Sequence, residues 1–498
     1  MSLRRLVTKR EESLAVQSIL LTSARAAGFV VTFFIPVILV RVFDQGQFGT
    51  YKQLFLVAGS AVPLLNLGMY ASLFYFIPRD EGEGHRYLVQ ALALLGVTGA
   101  LAGLGLLAGG DAISRVLNLP SLREFLPLVA LYIVIATPAD MVVAVPTVDR
   151  RPALAAYTMA ASDVLRAVAI VGAAVITNSV RGVLWAAISV SCLRGLWLLL
   201  YVRVRRAPGA RRPCLADLTA QLRYALPFAV GGLFLLALER FHQYYVAANV
   251  SAAAFAIYAV GILQLPVVGM LEQSVVEVML IRGSQAYEAG DLGEVKRVWT
   301  IVLERLAVVL VPCWALAELL APDLIGLLFG PAYLPALPVF RVFLVTVLAL
   351  IIVDHGVLRA TGDTPFVFVA NATGLVISVA AILVLTRYSL LLGGVAGYVI
   401  GLLATRALGL VKVRQRLDVR WGDLLPWRVF GQIALVVSVS AAVAGTGLFL
   451  PGRLVRLAIV GAIFTFVYGW LVIRLELIPS IELRRIVRRL LAAYLSNA

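Results

Sequence analysis

Apolar runs of roughly 20 residues, separated by short charged or Gly/Pro-rich connectors, recur along the whole chain. Each is long enough to cross the hydrocarbon core of a bilayer as an α-helix. The pattern predicts fourteen such helices, centred near Phe29, Val62, Gly99, Ile135, Leu165, Val190, Leu235, Val267, Val309, Leu348, Val376, Ile400, Val437 and Phe464. The first run extends from about Leu14 to Val40. That exceeds the h-region of a cleaved signal, about 7–15 residues, so it reads as an uncleaved first span. The tail from Pro479 to Leu495 is shorter and carries Arg484, Arg485, Arg488 and Arg489 on an amphipathic pattern. It predicts an interfacial helix rather than a fifteenth span.

Composition agrees with an all-α polytopic membrane protein. Hydrophobic residues make up 61% of the chain and charged residues 14%, against about 25% charged in soluble domains. The net charge of +16 would suit a nucleic-acid partner if it formed one patch. Instead the basic residues sit in the connectors, which is how membrane topology distributes them, so no nucleic-acid partner is expected. With the N-terminus inside, cytoplasmic segments hold about 28 Lys and Arg and external ones about 7, which places both termini in the cytoplasm. The densest cytoplasmic loop is Arg203 to Pro213. No external loop exceeds about fifteen residues by the same topology. An enzyme acting outside the membrane would need a larger loop to hold its substrate, so the chain is expected not to be an enzyme.

A repeat underlies the fourteen spans. Phe48-Gly-Thr-Tyr51 opens the second and Phe255-Ala-Ile-Tyr258 opens the eighth, 207 residues later. The same offset carries spans three to six onto nine to twelve within a few residues. Six is even, so the halves share one orientation, as in parallel repeats about an axis normal to the membrane. The expected organisation is a first lobe at 1–203, a cytoplasmic linker at 204–223, a second lobe at 224–414, two further spans at 415–478 and the interfacial helix at 479–498. Two lobes enclosing a central cavity is the architecture implied.

Charges within the spans mark the candidate chemistry. A charged side chain at membrane depth costs about 2.5–3.5 kcal/mol on insertion scales and so should face protein or water. The first lobe holds Arg25, Lys52, Asp140, Asp163, Arg166 and Arg194. The second holds Glu239, Arg240, Glu272, Glu277, Glu304, Arg305, Glu318, Arg341, Asp354 and Arg406. Asp163 and Arg166 are i,i+3 neighbours that can pair on one helix face. Glu277, Glu304, Arg305 and Glu318 sit near span ends, where snorkelling suffices. Arg194 and Arg406 are repeat equivalents within about five residues and suit lobe packing. Arg25 and Lys52 differ, because each lies on a polar stripe at helical spacing and neither has an acid within four residues. Two unpaired cations on adjacent helices form a seat for an anion, arginine forking onto phosphate oxygens and lysine giving a point charge. Glu239 and Arg240 are adjacent, point about 100° apart and need partners on other helices. With Glu272 they either line an aqueous cavity, as an ion- or proton-responsive site, or anchor the lobe. Three scattered cysteines and three distant histidines exclude a disulfide framework and make a metal site improbable.

The chain resembles the Wzx-type polysaccharide flippases, in the superfamily that also holds lipid II flippases and MATE drug exporters. The resemblance lies in "LVRVFDQGQFGTYKQLFLV" after the first span and in "LRYALPFAVGGLFLLALERFHQYYVAANVSAAAFAIYAVGIL" opening the second lobe. It continues in "QAYEAGDLGEV" and "RATGDTPF", both in cytoplasmic loops. The family usually has Asp-Arg where this chain has Glu239-Arg240. The resemblance implies transport of an undecaprenyl-diphosphate-linked oligosaccharide from the cytoplasmic to the outer leaflet by alternating access. It implies an ion gradient, H+ or Na+, as the drive, no cofactor, and a bacterial cytoplasmic membrane with glycan polymerase or other biosynthesis proteins as partners. It places the pyrophosphate on Arg25, Lys52 and Arg240, while Glu239 and Glu272, from the charge pattern, are the ion-coupling candidates. A MATE-like cation or drug exporter, which the acidic second lobe would suit, remains the alternative, with a membrane glycosyltransferase or glycan polymerase a distant third.

Overall fold

The computed structural model of the protein describes residue 28 and residues 30–79, 84–116, 118, 120–149, 151–204 and 214–477. Arg25, most of the predicted first span, the Arg203–Pro213 loop beyond Val204 and the arginine-rich C-terminal helix lie outside the described residues. What is described is helical, with no strand among those residues. In chain order the helices are α1 (Val30–Val42), α2 (Gln45–Leu65), α3 (Met69–Phe76), α4 (His85–Val116), α5 (Pro120–Ala139), α6 (Ala144–Val148) and α7 (Pro152–Thr177). There follow α8 (Val180–Val204), α9 (Leu215–Asn249), α10 (Ala252–Gly261), α11 (Pro266–Glu288), α12 (Leu292–Leu319) and α13 (Ala321–Leu328). The last are α14 (Leu337–Ala349), α15 (Asp354–Ala360), α16 (Thr364–Leu385), α17 (Leu390–Leu417), α18 (Trp421–Leu424), α19 (Trp427–Gly445) and α20 (Arg453–Arg474).

Twelve helical runs among the described residues are long and apolar enough to cross a membrane, and α1 and α10 are shorter apolar helices. Those two belong to the predicted first and eighth spans, so each of the fourteen apolar runs meets a helix. The protein is a multi-pass, all-α membrane protein.

Among the described residues four of the predicted spans are interrupted, and they are the repeat-related pairs two and eight, four and ten. Span two breaks at Asn66 to Gly68, with Leu67 at φ 49° and Gly68 at φ 73°. Span eight breaks between Gly261 and Pro266, span four at the 3-10 turn Asp140–Val142, and span ten between Ala349 and Asp354. Broken backbone within a membrane is tolerated where protein buries it or water reaches it, so any of these turns at membrane depth should meet protein or water.

Contacts gather the chain into two units, one of residues up to 259 with 378–398, the other of 260–377 with 399 onward. In the first unit α5 packs against α4 and α8, α7 against α8, and α2 against α5 and α9. Lipid tails are as apolar as leucine, so close packing rather than hydrophobic transfer holds such helices together. Gly99, Gly103 and Gly110 on α4 admit α5; a Cβ on Gly103 would stand 2.6 Å from Val134 Cγ2. The two repeat motifs also meet here. Phe48 and Tyr51 hold their ring centroids 6.0 Å apart at 34°, and Phe255 and Tyr258 do so at 6.2 Å and 33°. All four rings are buried. A Cβ on Gly49, between the first two rings, would fall 1.7 Å from the Ala252 carbonyl oxygen, so the openings of α2 and α10 touch backbone to backbone.

In the second unit α11 packs on α12 and α15, and α12 carries α14 and α19. Helices α18 and α20 are fixed to α12 and α13 by polar contacts. The indole of Trp299 donates to the Leu424 carbonyl at 2.9 Å, and the Tyr468 hydroxyl donates to the Val308 carbonyl at 2.6 Å. The Arg456 guanidinium forks onto the Asp323 carboxylate, with Nε to Oδ2 at 2.9 Å and Nη2 to Oδ1 at 2.5 Å.

Gly68 gives the first testable outcome. Its backbone is left-handed, and a Cβ would stand 2.4 Å from the Ala225 carbonyl oxygen on α9. Gly68→Ala therefore adds backbone strain to a steric clash and should destabilise the protein by about 1–3 kcal/mol, read as a lower unfolding temperature in detergent. Gly59→Ala, where a Cβ meets open space, should leave that temperature unchanged.

Candidate functional site

The candidate anion seat forms in the first unit from α2 and α9. Asp44 caps α2: its side chain accepts from the Gln47 backbone N–H at 2.8 Å, and the Gln47 side chain accepts in return from the Asp44 backbone N–H at 3.3 Å. This reciprocal pairing fixes the start of the helix and places Lys52 two turns along it. The Lys52 ammonium lies 5.5 Å from the centroid of the Phe48 ring, a cation–π distance.

Helix α9 runs antiparallel to α2. The Tyr244 hydroxyl donates to the Leu56 carbonyl at 3.3 Å, and Ala225 fills the space left by Gly68. These two contacts bring Arg240 within Coulombic range of Lys52. Both cations are half-buried, and the Nε of Arg240 is buried without a hydrogen-bond partner. Neither has a carboxylate oxygen within 4.0 Å among the described residues. Glu239 is held near Arg240 electrostatically but makes no ion pair at that distance among those residues. Two like charges kept together with unused donors attract an anion.

His242 takes no part in that seat. It is 1% exposed, its Nδ1 shares a 2.5 Å hydrogen bond with the Tyr258 hydroxyl, and its ring stacks on Tyr398 at 4.5 Å and 18°. It packs the core behind Arg240.

A second cluster forms in the other unit from α11, α15 and α17. The Arg406 guanidinium is 2.8 Å from Asp354 Oδ1 and 3.8 Å from Glu272 Oε1. His355 contributes Nε2 at 3.8 Å from the same Glu272 oxygen, and its Nδ1 lies 3.1 Å from Arg406. Gly409, one turn beyond Arg406, leaves the room that the Asp354 carboxylate occupies; a Cβ there would fall 1.8 Å from Oδ2. Of the residues the sequence singled out, Lys52, Arg240 and Glu239 come together in the first unit. Glu272 belongs to the second, and Arg25 lies outside the described residues.

His355 was set aside by sequence reasoning, and Asp354 and Arg406 had no assigned partner. A signal was available. Asp140 and Asp149 are matched by Asp354 and Asp363, each 214 residues on. In the first unit Asp140 lies within electrostatic reach of Arg194 and Arg166, and its backbone carbonyl accepts from the Tyr70 hydroxyl at 2.8 Å. Arg406 thus pairs with Asp354, and Arg194 lies within electrostatic reach of the matching Asp140, each aspartate at a helix break.

The outer pair of aspartates latches the same two helix pairs. Asp149 accepts from the Tyr201 hydroxyl at 2.8 Å. Asp363, in the turn between α15 and α16, pairs with Arg416 and, at 3.6 Å, with Lys412. The hydrogen bond from Arg416 and the two positive charges hold the Asp363 carboxyl below its ordinary range. A lowered carboxylate pKa gives stability that is present above the unfolded value, about 3.9, and lost as pH falls through the folded one. Acid unfolding below about pH 4 should therefore be shallower in Asp363→Asn than in the parent, as followed by tryptophan fluorescence.

No group of three or more His, Cys, Asp or Glu side chains suited to a metal ion occurs among the described residues. The arrangement supplies a candidate anion seat on one unit and a largely buried cluster of two acids, an arginine and a histidine on the other.

Known proteins place this architecture. A family described as polysaccharide biosynthesis protein matches residues 38–338. No curated protein matches by sequence. Among solved structures, the lipid II flippase MurJ in an inward closed conformation superposes with a TM-score of 0.74 at 10% identity, over 92% of this chain and 99% of that one. An inward-facing multidrug resistance MATE family transporter of the MOP superfamily gives 0.58 at 17%, over 80% and 94%. A MOP superfamily transporter from Pyrococcus furiosus, noted for reverse polarity of its binding pocket, also gives 0.58 at 17%, over 81% and 95%. The chain belongs to the polysaccharide biosynthesis protein family and carries the fold of MOP superfamily transporters.

Proposed function

We propose that the protein is a flippase that moves an undecaprenyl-diphosphate-linked oligosaccharide from the cytoplasmic to the outer leaflet of a bacterial cytoplasmic membrane. Both termini lie in the cytoplasm, following the charge asymmetry of the connectors. Two six-span lobes alternate access to the substrate, and the chain transports rather than catalyses. The observation that carries this reading is the pair Lys52 and Arg240, cations from separate helices with no carboxylate within 4.0 Å among the described residues. A diphosphate is the anion that such a pair, joined by Arg25, would hold. Family membership and fold agree with a lipid-linked glycan as cargo.

Ion coupling is assigned to Glu239 and to Glu272, the latter within reach of Arg406 and His355. The two acids around Arg406, Glu272 and Asp354, are the one observation that favours the alternative, a MATE-like cation or drug exporter. Arg406 engages both of those acids, which leaves less negative charge for a cationic cargo. Polymerase or other glycan-building proteins would act beside the flippase.

The test is reconstitution. Vesicles containing the purified protein should transfer a polyprenyl-diphosphate oligosaccharide to the leaflet where a membrane-impermeant sugar oxidant reaches it, faster under an imposed ion gradient. Transfer no faster than in protein-free vesicles, together with gradient-driven efflux of an organic cation, would reverse the assignment in favour of the exporter.

A further inference from the structure

Beside the anion seat lies a cavity of different chemistry. It measures about 570 Å³ and is lined by Thr50, Gln53, Asn118, Asn249 and Ser251, with Pro120, Val250 and Ala252 completing the wall. Three connectors of the first unit converge there: the opening of α2, the link from α4 to α5 and the link from α9 to α10. All three lie on the face that the charge asymmetry assigns to the outside.

The lining side chains carry amides and hydroxyls but no charge. Gln53 is 3% exposed and makes no hydrogen bond to a described residue, yet it lines the cavity. Its amide, with two donors and an acceptor, is presented to the cavity and free to bond what enters it. Its neighbours are fixed in ways that leave polar atoms over. Asn118 Nδ2 donates to the Ala248 carbonyl at 2.9 Å and Asn249 Nδ2 to the Tyr245 carbonyl at 2.8 Å, so each keeps its side-chain oxygen available. Ser251 Oγ accepts from the Ala254 N–H at 3.2 Å and keeps its hydroxyl proton.

We infer that this cavity is a seat for the uncharged sugar rings of the cargo, separate from the seat for its diphosphate. The inference rests on the flippase reading and deepens it. Neutral amides and hydroxyls match the mixed donors and acceptors of sugar hydroxyls. They hold no counter-charge for a phosphate or an organic cation, and the apolar wall of Pro120, Val250 and Ala252 suits the C–H faces of sugar rings. The volume lies within the about 300–1,000 Å³ of small-molecule sites, enough for a short stretch of glycan. Lys52 and Gln53 are consecutive on α2, so one helix can touch the diphosphate and the sugars attached to it. The seat therefore makes the protein read the glycan as well as the lipid carrier.

Two measurements on the full-length protein test this. In the first, Cys192, Cys214 and Cys313 are replaced by serine, a thiol is introduced by Gln53→Cys or separately by Thr50→Cys, and maleimide labelling is timed in detergent. Neutral trisaccharides of glucose, galactose, mannose, rhamnose or N-acetylglucosamine are the probes, with inorganic pyrophosphate as the comparison. At least one trisaccharide should slow labelling about fivefold or more, the protection expected at several times its Kd, and pyrophosphate should not. Protection by none of them, or by pyrophosphate alone, overturns the seat.

In the second, Gln53→Ala and Thr50→Val are assayed for transfer of a polyprenyl diphosphate bearing an oligosaccharide and of one bearing a single sugar. The longer cargo should slow about tenfold, as for lost hydrogen bonds to a polar ligand, with the shorter unchanged. Equal slowing of both, or of neither, also overturns it. Labelling needs no transport, so a protein that flips no glycan lipid would refute the flippase reading while the labelling result still decides the seat.

Discussion

Lys52→Ala and Arg240→Ala should each lower transfer of a polyprenyl-diphosphate oligosaccharide by about thirtyfold or more, because removing one charged partner of a desolvated anion costs about 2–5 kcal/mol. The geometry makes this specific. Lys52 stands over Phe48 and Arg240 lies within Coulombic range on α9, so a diphosphate held by both would meet a point charge and a guanidinium. Arg240→Lys keeps the charge but loses the planar fork, so it should fall between the parent and Arg240→Ala. Neither alanine variant breaks an ion pair within the described residues, and both should unfold at the parent's temperature or above it, since relief of like-charge repulsion offsets lost packing. Parental transfer rates in both variants would remove the observation on which the proposed function stands.

The largest effect on stability is expected at Arg406. This guanidinium is 2.8 Å from Asp354 and 3.8 Å from Glu272, and the Asp354 side chain is only 4% exposed. Arg406→Leu strands one or two carboxylates in a space that water reaches poorly. Breaking such a buried pair costs about 3–5 kcal/mol, a large share of what holds a typical domain folded. The unfolding temperature in detergent should drop sharply. The double variant Arg406→Leu with Asp354→Leu removes the stranded charge as well and should recover most of the loss, since apolar replacement of a buried ion pair is often neutral. A double variant no more stable than the single one would mean that Arg406 acts through packing of its stem. The Lys52 and Arg240 variants should change transport without this loss, which separates cargo binding from the scaffold.

Gly68 and Asp363 act on the framework between these extremes. The first lets two helix backbones touch at a break, and the second joins the turn after span ten to α17. Both sit in features that the internal repeat duplicates or nearly duplicates. Asp149 with Tyr201 mirrors Asp363 with Arg416, and the turn at Asp140 mirrors the one before Asp354. Repetition of a strained or charged feature, where a single instance would be a liability, indicates that the unbroken alternative does not serve the protein.

Much of this was legible along the chain, for reasons that lie in the solvent. A bilayer accepts only segments of fixed length with satisfied backbones, so apolar runs reveal the spans, their order and their repeat without knowledge of any contact. The pair Phe48 and Tyr51 with its echo Phe255 and Tyr258 marked two buried sites of matching geometry. Lys52, Arg240 and Glu239 stood out because charge is rare inside spans. What could not be read was which charges meet. Glu239 and Glu272 looked alike in sequence, yet the first stays beside Arg240 while the second joins Arg406 and His355 across two other helices. His242 and His355 were equally isolated, and one packs the aromatic core while the other completes an ion cluster.

The sequence alone therefore determined that this is a helical membrane protein of repeated spans with cations placed where lipid would exclude them, because those features depend on each segment's own transfer energy. Only the tertiary structure decided that Lys52 lies within Coulombic range of Arg240, that Asp354 holds Arg406, and that Gln53 opens onto an uncharged cavity. Those depend on helix breaks and backbone contacts between segments up to two hundred residues apart, which no local pattern of polarity encodes.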